Sequence, residues 1–240
     1  MCEMQPAVDY TIVDQQRMTR ARKYFRWQRD LVVKEIGRRV VEVGCGLGNF
    51  TQFLLDREQV IALDVEQKCI DRVLERFPGG DNLRALVLDA SDRRFRELKS
   101  FLPDSCVCLN VLEHIENDRL ALENMAAILP RGGRIVLVVP AHPALYGPID
   151  RNLGHFRRYS KSSFRALSAK VGLTVRKLHY TNFVGFFGWW ANARVFRKEA
   201  QSIAQISFFD DWIVPVMSRL EQRVHPPLGQ SLFAVLERTS

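Results

Sequence analysis

Between residues 38 and 140 the chain repeats one rhythm, a short apolar run followed by a stretch long enough for a helix. The runs are RRVVEVGC, QVIALD (59–64), LRALVLD (83–89), SCVCLNV (105–111) and RIVLVVP (134–140). They are nearly continuous in apolar residues instead of alternating with polar ones, as strands buried on both faces are. Strands alternating with helices at this pace specify a parallel sheet, covered on both sides and joined by right-handed crossovers. With 240 residues and no internal repeat, the chain suits a single domain with an elaborated cap.

The helical stretches are predicted from spacing and end signals. Residues 16–36 place Ala21, Phe25, Val32 and Ile36 on one helical stripe, with Gly37 as the C-cap. Further helices are expected over 49–55, between residue 64 and PGGD, from Ser91, over 117–129 and from Lys161, the last with Ser160 as N-cap and Gly172 as stop. LTVRKLHY reads as a sixth strand and QSLFAVLER as a last one. Two stretches fall outside the rhythm: an irregular segment of about 20 residues after Pro140, and an aromatic-rich segment of about 45 residues before QSLFAVLER. Long connections in a compact domain tend to carry function.

Composition excludes several classes. Cysteines 2, 45, 69, 106 and 108 form no CxxC pair and no metal-ligand spacing, which predicts reduced core thiols and a cytoplasmic setting. Cys106 and Cys108, two apart in a strand, share one face. The start of the chain lacks the basic-then-apolar layout of a secretion signal. No stretch reaches the roughly 20 apolar residues of a membrane span, so a soluble protein is expected. No His/Asp/Glu set has metal spacing, so no metal is expected. A net charge of +8 permits an anionic partner without demanding one, and no RNP, KH or zinc-finger pattern supports nucleic acid.

The first apolar run breaks into VVEVGCGLGNF, with Gly44, Gly46 and Gly48 between a strand and a helix-like stretch. A dinucleotide fingerprint would carry its third glycine at position 49, where this chain has Asn. Glu42, inside the strand, would repel a diphosphate. Asp64 ends the second strand about 20 residues past the first glycine, where an acid accepts ribose hydroxyls. Asp89 ends the third strand, placed to accept from an adenine amino group. Strand tips in such a sheet form one crevice. Three acids and bare glycine backbone there suit a nucleoside with a positive centre and no phosphates, as S-adenosylmethionine is.

These segments, together with LNVLEHIEND and LPRGGRIVLVVP, resemble the class I S-adenosylmethionine-dependent methyltransferases, in particular the small-molecule type 11 and 12 group. The resemblance covers 38–140 and continues more loosely to PPLGQSLFAVLER. It implies an α/β, Rossmann-like sheet of seven strands in the order 3-2-1-4-5-7-6, strand 7 antiparallel, with helices on both faces and a helical cap. It divides the single domain 1–240 into an N-terminal helical lid (1–37), a cofactor-binding core (38–140), a substrate loop (141–160), an aromatic cap insertion (181–228) and the last strand (229–240). The cofactor set it implies is Glu42, Gly44, Cys45, Gly46, Gly48, Asp64, Val65, Asp89, Ala90, Asn110 and Val111, with Tyr24 of the lid over the sulfonium.

Methyl transfer needs an aligned nucleophile and, for some acceptors, a base. The segment AHPALYGPIDRNLGHFRRYSK concentrates titratable groups beside the cofactor crevice. His155 is the candidate base or acceptor contact, with Asp150 as its orienter. His114 is a second candidate base, or else orders the cofactor with Glu113. Tyr146, Arg157, Arg158 and Tyr159 are candidate acceptor contacts, although Arg158 serves equally as an internal salt bridge pinning the loop. Trp189 and Trp190 belong to an aromatic run that either forms a satellite core, lines an apolar acceptor pocket or rests on a membrane surface. The expected acceptor is a small or lipid- or sugar-linked metabolite. Two alternatives stay open: an RNA methyltransferase, and a protein that binds the cofactor without transferring a methyl.

Overall fold

A computed structural model describes residues 7–196, 200 and 202–239; Cys2, the first six residues of the expected lid, residues 197–199 and 201 of the expected cap and Ser240 of the expected last-strand segment lie outside the described residues. Seven strands, β1 (Arg39–Val43), β2 (Gln59–Asp64), β3 (Leu83–Val87), β4 (Ser105–Leu109), β5 (Arg134–Pro140), β6 (Leu173–Thr181) and β7 (Ser231–Arg238), form one sheet. Their order is β3-β2-β1-β4-β5-β7-β6. Strand β7 runs antiparallel to both β5 and β6, and the other pairs are parallel. The sheet expected from the resemblance is the sheet observed.

Residue alternation along the central strands feeds two cores. Val41, Val43, Ile61 and Leu63 share one buried cluster with Leu122 and Met125 of α4 (Asp118–Ile128) and Phe164 of α6 (Lys161–Lys170). Val40, Val60, Ala62 and Val107 share the other with Val32 of α2 (Arg22–Val32) and Ile70 and Val73 of α3 (Gln67–Arg76). Cys106 and Cys108 do lie in one cluster, and all four described cysteines are free and buried. No helix of the described residues is long and apolar enough to cross a membrane.

Several elements differ from expectation. The helix expected over 16–36 is two helices, α1 (Ala7–Met18) and α2, broken by a turn at 19–21. Gly37 caps neither; its N–H donates to Ser105 Oγ at 3.0 Å on the way into β1. The helix over 49–55 shrinks to a 3₁₀ turn, Thr51–Phe53, and the one from Ser91 is a 3₁₀ run, Arg93–Phe101. Strands β3 and β4 each stop two residues before their apolar runs do, since Asn110 takes a left-handed φ of 55° and Asp89 folds back to hold Ser91. The helix at Lys161 forms as expected, its Ser163 N–H donating to Ser160 Oγ. The irregular segment after Pro140 contains a 3₁₀ turn (Pro143–Leu145) and a short α5 (Pro148–Asn152).

The aromatic-rich segment folds as a helical cap between β6 and β7. It contains α7 (Phe183–Trp190), which passes into a π-turn (Ala191–Val195), then α8 (Ile203–Phe208), a second π-turn (Phe209–Ile213) and α9 (Val214–Glu221). The cap is stitched at its neck, where Thr181 pairs with Ser231 and Gln230 N–H donates to Asn182 O at 2.9 Å. It packs on the post-β5 segment, Trp189 and Ala193 clustering with Leu145 and Ile149. It also grips α2: buried Asp210 accepts from the N–H groups of Lys23 (3.1 Å) and Tyr24 (2.7 Å), and Trp27 clusters with Val214 and Met217.

Candidate active site

The site begins where β1 runs out. After Val43 the chain turns sharply, and Gly44 (φ 74°) and Gly46 (φ 51°) hold backbone conformations that side chains disfavour. A Cβ at Gly44 would also strike Val111, and one at Gly46 the Gln15 side chain, so the turn is closed to anything larger. Asp64 at the tip of β2 braces it: Oδ2 accepts from Gly46 N–H at 2.8 Å and Oδ1 from Glu66 N–H at 3.0 Å. A cavity of about 970 Å³ lies over these tips.

The expected cofactor residues converge on this cavity. Tyr24, Glu42, Gly44, Cys45 and Gly46 line it, as do Asp64, Val65, Asp89, Ala90, Asn110 and Val111. Gly48 does not; its N–H closes the turn onto Cys45 O at 2.9 Å. Of the acceptor and catalytic candidates, His114, His155, Arg158 and Trp189 reach the cavity. The others serve elsewhere. Tyr146 donates its hydroxyl to His155 O at 2.6 Å. Arg157 pairs with Asp118 at 2.9 Å and donates to Glu116 O at 2.7 Å. Tyr159 is buried in the core with its hydroxyl on Asp118 at 2.9 Å, so it cannot meet an acceptor. Trp190 faces outward, half exposed, one helical position from inward-facing Trp189.

Asp150 organises the loop from beneath. It is fully buried, and its Oδ1 lies 2.9 Å from His155 Nδ1 and 2.7 Å from Arg158 Nε, while Oδ2 accepts from Gly147 N–H at 2.9 Å. A carboxylate only accepts, so Nδ1 is the His155 nitrogen that carries a proton toward Asp150, and Nε2 points away from it. Burial would raise the Asp150 carboxyl, but the hydrogen bond from His155 and the charge of Arg158 outweigh it and hold it below the ordinary range. Arg158 donates to Ala141 O at 3.1 Å and stacks over Trp189 at 4.5 Å. Both readings of Arg158 therefore have structural content: it pins the loop and also borders the cavity.

The cavity is strongly acidic. Asp14, Glu42, Asp64, Glu66, Asp89, Glu113 and Glu116 line it, and Arg158 is the only lysine or arginine among the described lining residues. Burial pushes the carboxyls of Glu42 and Glu113 up to about 7 and also raises Asp14 and Asp64. Glu42 Oε2 and Glu113 Oε2 are buried without a hydrogen-bond partner. Burial, with the nearby His155, pushes His114 down to about 3, so its ring is neutral. Such a surface fits a cationic nucleoside: two unpaired buried carboxylate oxygens, Asp64 Oδ atoms at the β2 tip, and bare backbone in the turn.

Sequence reasoning missed the contribution of α1. Ile12, Asp14, Gln15 and Met18 line the cavity, and Gln15 Oε1 accepts from Leu47 N–H at 3.1 Å, tying the helix to the glycine turn. Gln28 and Ser231 were missed as well. The expected lid spans 1–37, but its helix was legible only from residue 16, and a polar helix gives no local sign of what it covers. Spacing along the chain also showed no metal set, yet the fold gathers one donor atom each of Glu113, His114 and His155 within 4.8 Å of one another.

A family model described as a methyltransferase domain matches residues 15–178. An uncharacterized methyltransferase of Exiguobacterium sibiricum is 32% identical over 100 residues, 40% of this chain and 43% of its own length. A ribosomal RNA small subunit methyltransferase A of Dehalococcoides mccartyi is 49% identical over 51 residues, 21% of this chain and 18% of its own. The chain thus spans less than half the length of these curated relatives. Among solved structures, the N-methyltransferase NodS of Bradyrhizobium japonicum, in complex with S-adenosyl-L-homocysteine, is similar in fold at a TM-score of 0.55 and 17% identity, covering 90% of this chain and 85% of that one. With the family match running through both the strand tips and the post-β5 loop, the chain belongs to the class I S-adenosylmethionine-dependent methyltransferases.

Proposed function

We propose that the protein transfers a methyl group from S-adenosylmethionine to a small or lipid-linked acceptor that enters beside His155. The observation that carries this reading is the charge of the cavity, seven carboxyl groups against one arginine at its Trp189 side. That balance favours a sulfonium and opposes a di- or triphosphate. S-adenosylmethionine supplies an electrophilic methyl whose thioether leaving group is already good. Asp64, oriented by two backbone N–H groups, is assigned to the ribose hydroxyls. Asp89 spends Oδ1 on Ser91 and keeps Oδ2 for a base amino group. Asn110 and Val111 are assigned to the amino-acid end.

For the acceptor, His155 has the orientation a contact residue needs, with Asp150 fixing its ring and tautomer. His114, its ring perpendicular at 4.6 Å, completes that wall. A lipid-linked acceptor is supported by the outer face of the cap, where Phe187, Trp190, Phe208 and Trp212 are exposed on a chain of net charge +8. Calorimetry should show S-adenosylmethionine binding while NAD and ATP do not. Asp64→Ala should weaken that binding tenfold or more, about 1.4 kcal/mol, through loss of a charged acceptor. Binding of NAD or ATP in preference would overturn the proposal. The RNA alternative rests on the net charge and the 51-residue ribosomal RNA methyltransferase match; it requires RNA binding that weakens steeply with salt.

A further inference from the structure

We propose that Glu113, His114 and His155 form a binding site for a divalent transition-metal ion at the acceptor end of the cavity. Three independent features converge there. First, one donor atom from each residue lies within 4.8 Å of the other two, and all three side chains line the cavity. Ligand atoms around an ion with bonds of about 2.1 Å stand roughly 3 to 4 Å apart, so small side-chain rotations close the set. Second, Glu113 is 1% exposed and its Oε2 has no donor. A buried carboxylate oxygen without a partner calls for an ion or a donor that completes it. Third, the outer layer of a metal site is built. His155 turns Nδ1 to Asp150 and leaves Nε2 as a ligand, the carboxylate–histidine arrangement that orients metal-binding imidazoles. Asp150 is itself anchored by Gly147 N–H and Arg158.

The backbone holds the two halves of the site together. Glu113 and His114 sit on a 3₁₀ turn (Leu112–His114) after β4, His155 follows α5, and Phe156 N–H donates to Glu113 O at 2.8 Å across them. Charge permits a cation: Glu113 and Asp150 outnumber the Arg158 guanidinium, and Asp14 of α1 lines the same cavity as His155. Two imidazoles and one carboxylate suit Mn²⁺ through Zn²⁺ better than Mg²⁺ or Ca²⁺. The coordination positions left over open into the cavity, where an acceptor oxygen or nitrogen would complete the shell. The ion's role toward the acceptor rests on the methyl-transfer reading; the site itself does not.

The test is a titration of the tag-free, chelator-treated full chain with Co²⁺, followed by its visible ligand-field absorption. The expected result is a saturable band at one equivalent, lost or weakened at least tenfold in Glu113→Gln and in His155→Ala, and weakened tenfold to a hundredfold in Asp150→Asn. His225→Ala, which removes the exposed ring of the His179–His225 stack, should leave the band unchanged. A wild-type chain that gives no band, or a band that survives both Glu113→Gln and His155→Ala, overturns the site whether or not other variants fold. Parallel calorimetry with S-adenosylmethionine separates the two ideas. Cofactor binding without Co²⁺ binding removes the metal and keeps the methyltransferase reading, while Co²⁺ binding without cofactor binding does the reverse.

Discussion

Glu42 illustrates how one residue sets the chemistry of the crevice. Its carboxyl is raised to about 7 by burial first and by the charge of Asp64 second. Below that value it is neutral, and above it the anion attracts a sulfonium. Affinity for S-adenosylmethionine should therefore rise between pH 6 and pH 8, and Glu42→Gln should flatten that rise; a wild-type profile as flat as the variant's would remove Glu42 from cofactor recognition. At this scale the sequence was most legible where function is local. Glu42, Asp64 and Asp89 stand at or beside strand tips, so alternation and strand length alone deliver them to the crevice. Asp14 and Gln15 were not legible because they reach the cavity from a helix folded back over it, and no spacing records that contact. The same holds for the meeting of His155 with Glu113 and His114, some forty positions apart in the chain.

Among elements, the strands were legible, whereas the helices expected over 16–36, over 49–55 and from Ser91 were not. Phe95 and Leu98 are the buried pair of the Arg93–Phe101 segment, and Phe101 packs beside them, a period of three and not 3.6. A repeat of three is the geometry of a 3₁₀ helix, and it was present in RRFRELKSF for a reader counting it. The break between α1 and α2 was not readable in the same way. Ala21, at the N-terminus of α2, has no capping side chain, and the acceptor for the Lys23 and Tyr24 N–H groups is Asp210, from the cap. Asp210→Ala should cost about 1 to 2 kcal/mol, seen as a lower urea midpoint with m unchanged. Asp210→Asn, which keeps an acceptor oxygen, should lose less. An unchanged midpoint in Asp210→Ala would show that α2 does not depend on this cap.

Over the whole molecule, the seven-strand order follows from the rhythm of apolar runs together with the family resemblance, while the packing of the cap does not. Its inward face, Trp189 with Ala193, seals the post-β5 loop, and its outward face leaves Trp212 71% and Phe208 61% exposed. Aromatic spacing cannot distinguish these two faces when the helices contain π-turns that rotate the stripe. If the outward face rests on lipid, the protein should co-sediment with anionic vesicles, and Trp212→Ser with Phe208→Ser should release it by severalfold without altering cofactor affinity. Failure to sediment at low salt would leave the acceptor to be sought among freely diffusing metabolites.

The neck of the cap has an evolutionary reach. Because the excursion departs opposite the rung on which it returns, Thr181 facing Ser231, its length is decoupled from strand register. A lineage can alter the length of that lobe without shifting β6 against β7, so the strand tips bearing Glu42 and Asp64 keep their places while the wall bearing Trp189 changes.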